Sequence, residues 1–226
     1  MIAILKYNAG NSASVRNSLE RLGHSCAITD NHEEILKAEK VIFPGVGEAS
    51  SAMKYLKESG LHELIPHLKQ PFLGICLGLQ LMCKFSEEGS TNCLGIFEQS
   101  VLKFPPKDIV PHMGWNNLKD LKGPLFEGIS EIDNVYFVHS FYAEVSPWTT
   151  AVCDYIVPFS GAFQKDNFFA VQFHVEKSGE VGERILKNFL SVEDLSVKNK
   201  FEKSGGLNVS HLPSNFNDPL EDLKPY

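Results

Sequence analysis

The sequence predicts an α/β protein: a doubly wound, mostly parallel sheet flanked by helices, with extra short strands in its second half. Three observations carry this. Short, wholly apolar runs recur through the first half, as in strands buried on both faces. Amphipathic segments of helical period separate them, giving the βαβ order that implies a parallel sheet with helices on both faces. From Ser100 to Val175 this alternation gives way to closely spaced short strands.

In chain order, Ile2–Lys6 reads as the first strand. Ser14–Leu22 reads as a helix, with Val15, Leu19 and Leu22 on one face. Cys26–Thr29, Ile35–Ala38 and Val41–Phe43 continue the alternation. Ala49–Glu58 and Leu61–Leu68 are expected helices, and Phe72–Ile75 the next strand. Ser100–Phe104, Asn134–Val138, Ala151–Val157 and Phe168–Phe173 are the strands of the second half, and Ser178–Leu190 is the closing helix. Residues 1–192 form one expected domain. Residues 193–226 are an expected tail, rich in turn formers from Lys203 to Leu220. Phe201, Leu207, Leu212, Phe216 and Leu220 leave open that the tail docks.

At Gly74-Ile75-Cys76-Leu77-Gly78 a cysteine stands between two glycines, where an apolar run passes into a helical one. This is the thiol form of a nucleophile elbow. A nucleophile on a strand-to-helix turn has a strained backbone and crowded neighbours, and glycine has no Cβ to clash there. The helix N-terminus favours a thiolate at Cys76. A buried cysteine that merely packs is the competing reading. Context comes from the run Phe168–Phe173, which leads into His174-Val175-Glu176. In an extended chain residues i and i+2 share a face. Glu176 can therefore hold the imidazole of His174, and His174 can take a proton from Cys76. In doubly wound sheets sites form beyond the C-terminal strand ends. Cys76 and the loop Pro44-Gly45-Val46-Gly47 both belong to that edge.

The bulk composition excludes several classes. With 226 residues and 43% hydrophobic content, the chain supports one domain with a substantial core. A net charge of −7 without a basic stripe argues against a nucleic-acid partner. The odd, scattered cysteines Cys26, Cys76, Cys83, Cys93 and Cys153 fit a reducing compartment, and no pair has zinc-site spacing. Met1–Leu5 is too short for a signal peptide, and no run approaches a membrane span. A cytoplasmic protein without metal or cofactor and without a membrane partner is expected.

The elbow and the His-x-Glu pair resemble those of the class I (triad) glutamine amidotransferases, whose fold is flavodoxin-like. Further segments narrow the resemblance: Ala9-Gly10-Asn11, Pro44-Gly45-Val46-Gly47-Glu48-Ala49, Pro111-His112-Met113-Gly114-Trp115-Asn116 and Tyr136-Phe137-Val138-His139-Ser140-Phe141-Tyr142. Together these are similar to the glutaminase subunits of imidazole glycerol phosphate synthases. The resemblance implies that L-glutamine is hydrolysed to glutamate and ammonia, with Cys76, His174 and Glu176 as the triad. Leu77 N–H supplies one oxyanion donor and Val46 or Gly47 the second. In the family this loop is thought to hold the hole inactive until the partner is ready. Gly45, Gln80, Ser140 and Phe141 are the implied substrate-binding residues. The implied partner is a (β/α)8-barrel cyclase subunit that receives the ammonia for histidine biosynthesis, with Trp115, Asn116 and Lys177 facing it.

The chain departs from the family pattern in places. Val175 replaces the usual proline of His-Pro-Glu, so the dyad loses a fixed φ but keeps an extended, β-branched residue. Phe141 stands where tyrosine is common. Ser12 and Ala13 follow the Gly-Asn motif in place of more typical residues, which bears on allosteric coupling. Three other readings compete: a paralogous glutaminase feeding a sugar-modifying synthase, a cysteine hydrolase or peptidase on a related fold, and a catalytically silent binding subunit. The Pro111–Asn116 motif and His-Val-Glu argue against the hydrolase, and the intact Cys-His-Glu set against the silent subunit.

Overall fold

The computed structural model describes residues 1–7 and 11–193. The expected tail beyond residue 193, and Ala9 and Gly10 of the N-terminal motif, lie outside the described residues. A seven-stranded sheet runs in the order Thr149–Tyr155, Val157–Lys165, Phe168–Val171, Phe72–Ile75, Lys40–Phe43, Ile2–Leu5, Cys26–Thr29. Its parallel part comprises β1 (Ile2–Leu5), β2 (Cys26–Thr29), β3 (Lys40–Phe43), β4 (Phe72–Ile75) and β13 (Phe168–Val171). β1, β4 and β13 are buried at every position, which is why they read as unbroken apolar runs.

Alternate residues feed two cores. Ile2, Ile4, Leu73 and Ile75 pack with Val15 and Leu19 of helix α1 (Ser12–Arg21) and with Ile185, Leu186 and Phe189 of helix α6 (Gly179–Ser191). Ala3, Leu5, Val41, Phe43 and Phe72 pack with Ile35 of α2 (His32–Lys37), with Ala52, Met53 and Leu56 of α3 (Ala49–Glu58), and with Leu61 of α4 (Leu61–Leu64). The period-two alternation of the strands thus separates the helices onto the two faces. The segment from Leu61 to Leu68 is shorter as an α-helix than expected. It tightens into a 3₁₀ turn at Ile65–His67, where Pro66 cannot donate to an α-helical ladder.

The second half holds more strand than the sequence reveals. β11 (Thr149–Tyr155) and β12 (Val157–Lys165) join the main sheet antiparallel at its edge. β5 (Phe85–Ser86), β6 (Thr91–Asn92), β7 (Ser100–Lys103) and β10 (Phe141–Ala143) form a four-stranded sheet. β8 (His112–Asn117) and β9 (Asn134–His139) form an antiparallel ribbon in which His112 lies opposite His139.

Candidate active site

β4 and β13 are neighbours in parallel register, with Val171 opposite Ile75. Both strands therefore end at one edge, and each releases its functional motif there. Cys76 follows β4 directly and keeps the register by donating its N–H to Val171 O at 2.8 Å. Its backbone has φ 53 and ψ −107, a conformation that a non-glycine residue rarely adopts, and it caps α5 (Leu77–Met82). The flanking glycines are required by close approach. A Cβ on Gly78 would lie 2.0 Å from Phe43 O, and one on Gly74 would lie 2.5 Å from Met82 Sδ.

His174 comes three residues after β13. Glu176 sits in a 3₁₀ turn, Val175–Lys177, and not in a continued strand. The expected extended pairing is corrected here: β13 stops at Val171 and the chain turns, yet His174 Nδ1 still meets Glu176 Oε1 at 2.7 Å. Val175 is the first residue of that turn, a position where proline's φ suits a helix start. Both side chains are buried, at 1% and 0% exposure. Glu176 Oε1 also accepts from Asn11 Nδ2, a contact that ties the N-terminal motif to the pair. Burial alone would drive the His174 imidazole down. The Cys76 sulfur and the Glu176 carboxylate outweigh it and raise the ring to about 10. His174 Nε2 is buried and makes no other hydrogen bond among the described residues, which leaves that nitrogen to the Cys76 sulfur.

The Cys76 sulfur borders a cavity of about 340 Å³. Val46, Gly47, Leu77, Gln80, Ser140 and Phe141 line it, as do Glu88, Pro111, Val138 and His139, which the sequence did not single out as site residues. Gln80 is 4% exposed and not a helix-surface residue. Its Nε2 donates to Phe141 O at 3.0 Å and to Gln172 Oε1 at 3.1 Å. Gln172, fully buried, donates in turn to Cys76 Sγ at 3.7 Å. Glu88 is the one carboxylate on the cavity wall. Burial raises it, while the Ala49 N–H at 2.8 Å and the Glu48 charge act in opposite senses.

Gly45 is absent from the cavity wall. It is packed behind the elbow, where a Cβ would lie 2.4 Å from Tyr7 Oη and 2.7 Å from Leu77 Cβ. Its carbonyl accepts the Leu77 N–H at 3.3 Å. Within a planar trans peptide the N–H opposes the C=O, so the Val46 N–H is turned away from the elbow. Tyr7 donates to Pro44 O at 2.5 Å and anchors the same loop. Of the expected oxyanion donors, Leu77 is thus occupied by the protein and Val46 faces elsewhere. Gly47, at φ 127, holds a backbone angle that favours glycine.

Trp115 is 57% exposed on the outer face of the β8–β9 ribbon, beside the exposed Met113. Lys177 is exposed next to the His-x-Glu turn, and Asn116 is half-buried. These residues lie outside the cavity. Among the described residues, no helix is long and apolar enough to cross a membrane, and no group of three or more His, Cys, Asp or Glu side chains could hold a metal ion.

The chain shares this architecture with a solved glutamine amidotransferase, at a TM-score of 0.64 and 17% identity over 84% of this chain and 96% of that one. It is 57% identical over 194 residues to the imidazole glycerol phosphate synthase subunit HisH of Bacteroides fragilis strain YCH46, covering 84% of this chain and 99% of the relative. The subunit of the same description from Pasteurella multocida is 45% identical over 191 residues, 84% of this chain and 96% of the relative. The profile described as glutamine amidotransferase class-I matches residues 3–192, a span that contains the elbow, the His-x-Glu turn and the loop at residues 44–47. With a cysteine elbow and a buried His–Glu pair at one sheet edge, and relatives of this similarity, the chain belongs to the class-I glutamine amidotransferase family.

Proposed function

We propose that this chain is the glutaminase subunit of an imidazole glycerol phosphate synthase. It hydrolyses L-glutamine to glutamate and ammonia and passes the ammonia to a (β/α)8-barrel cyclase subunit in histidine biosynthesis. The observation that carries the chemistry is the convergence of Cys76, His174 and Glu176 at the ends of two in-register strands. Cys76 Sγ attacks the side-chain amide carbon of glutamine as a thiolate. The C–N bond breaks as His174 gives its proton to the departing nitrogen, leaving ammonia and a thioester. Water, deprotonated by His174, cleaves the thioester to glutamate, expels the sulfur as a thiolate and leaves the imidazole protonated, the state in which the cycle began. Glu176 holds the imidazole through Nδ1. Glu88, the carboxylate on the cavity wall, receives the substrate's α-ammonium group.

The oxyanion hole needs Leu77 N–H and a second backbone donor aimed at the reacting oxygen. Rotation of the Gly45–Val46 peptide frees Leu77 and brings the Val46 N–H round, so the loop acts as a gate. Docking of the cyclase on the face carrying Trp115, Asn116 and Lys177 is the event that turns it.

The test is to supply this chain with glutamine, a cyclase subunit and its nucleotide substrate, and to follow glutamate and the imidazole product together. Matched formation of both products supports the reading. Glutamate without the imidazole product would point to a different acceptor synthase.

A further inference from the structure

Two buried histidines, His139 on the cavity wall and His112 behind it, bridge the β8–β9 ribbon and the site, and nothing in the proposed mechanism uses them. His139 Nδ1 lies 2.7 Å from Phe141 O. A carbonyl only accepts, so this nitrogen carries the hydrogen and Nε2 is a lone pair. Nε2 lies 3.0 Å from His112 Nδ1, which must therefore donate. His112 Nε2 is then an acceptor, and Asn116 Nδ2 stands 3.4 Å from it. The Asn116 amide is oriented independently: Nδ2 donates to Asp154 O at 3.1 Å and Oδ1 accepts the Asn117 N–H at 2.9 Å. The Phe141 carbonyl thus fixes the direction of both imidazole donors.

The rings have little freedom to reverse. His112 is stacked on Tyr155 at 4.0 Å and on Phe137 at 4.7 Å. His139 packs against Phe104 and Phe159 at 5.3 and 5.1 Å. Burial pushes His112 down to about 4 and His139 down to about 3, so both are neutral.

Phe141 O is the joint with the site. It accepts from His139 Nδ1 on one side and from Gln80 Nε2 on the other, which uses both its lone pairs. Gln80 spends its second N–H on Gln172 Oε1. The NH₂ group of Gln80 is thus fully committed to the protein, and its Oε1 is the group left for a ligand in the cavity.

We infer that His139, backed by His112, is a positioning residue: it locks the Phe141 carbonyl, and through it the Gln80 amide, so that Gln80 offers the cavity an acceptor for substrate N–H groups. This rests on the reading of the cavity as a glutamine site. It goes beyond that reading by giving two residues outside the triad a defined effect on substrate binding.

The experiment compares His139→Leu and His139→Asn in the complex with the cyclase. Leucine removes the donor to Phe141 O, whereas asparagine retains one near the position of Nδ1. Loss of a buried partner at this joint is expected to raise KM for glutamine about tenfold or more in His139→Leu, with kcat within about threefold. His139→Asn is expected to return KM to within about threefold of the parent. Equal KM in parent and leucine variant, or loss of kcat alone in both variants, would overturn the inference. If the parent complex itself hydrolyses no glutamine, the glutaminase reading fails instead. Independently of activity, ¹⁵N chemical shifts of the unsubstituted chain are expected to show both imidazoles neutral in the Nδ1–H tautomer. An Nε2–H tautomer at either histidine would also overturn the inference, even if the leucine variant failed to fold.

Discussion

The Leu77 N–H donates to the Gly45 carbonyl across 3.3 Å, so the amide that follows Cys76 is held by the protein's own loop. An oxyanion donor engaged in this way is unavailable to a tetrahedral intermediate. The isolated chain is therefore expected to hydrolyse glutamine slowly. Adding the cyclase with bound nucleotide should accelerate it by at least ~100-fold, the scale of one oxyanion donor. A free subunit already at full rate would contradict the gate.

Glu88 tests the substrate pocket. Glu88→Gln keeps an acceptor for the Ala49 N–H but removes the charge opposite an α-ammonium group. Loss of one charge-assisted contact should raise KM for glutamine by roughly tenfold or more, with kcat little changed. Steady-state kinetics of the complex decide this, and an unchanged KM would place the ammonium elsewhere.

Gly78→Ala tests the elbow's packing. In an ordinary helix the change would stabilise by up to ~1 kcal/mol. Here the new Cβ would meet Phe43 O at 2.0 Å, and backbone must move. Overpacking of this kind should cost about 1–3 kcal/mol, so the substitution is expected to destabilise, as read from urea denaturation midpoints.

The parallel sheet was legible because its strands are buried on both faces and so lack polar interruptions. The positions of Cys76 and His174 at one edge followed from where those strands end. β8 and β12 were not legible. Gly114 and two asparagines break the pattern of β8, and Pro158, Ser160 and Gly161 break that of β12. The turn at Glu176 was misread because Val175, unlike proline, gives no sign that the strand has ended. Glu88 escaped notice because the cavity-facing helix stops at Met82 and the chain returns through β5 and a 3₁₀ turn. The contact of Asn11 with Glu176 joins residues 165 positions apart, and local spacing carries no trace of it. His139 did leave a trace: it is an inward-facing histidine closing an alternating apolar strand, inside a motif already notable for its composition.

The charge state of the dyad is accessible by titration. His174 is raised from 6.5 to about 10, against its own burial, by Cys76 and Glu176. A raised folded value means that the contribution to stability is fully present below the unfolded value of 6.5 and is lost as pH rises through about 10. Removing the sulfur in Cys76→Ala leaves burial opposed by Glu176 alone, so the folded value must fall. NMR titration of His174 should show this downward move, and an unchanged value would contradict the coupling of His174 to Cys76.

The most direct test of the account is Cys76→Ser in the complex, assayed with glutamine and then with ammonium salt at a pH where part of it is neutral ammonia. A serine hydroxyl is far less acidic than a thiol and is poorly activated by this dyad, so glutamine-dependent synthesis should vanish. The side chains differ by one atom, so the fold and docking should persist and ammonia-dependent synthesis should continue. Retained glutamine turnover would show that Cys76 is not the nucleophile. Loss of ammonia-dependent synthesis in a variant still bound to the cyclase would contradict the division of labour between a glutaminase and an ammonia-using partner.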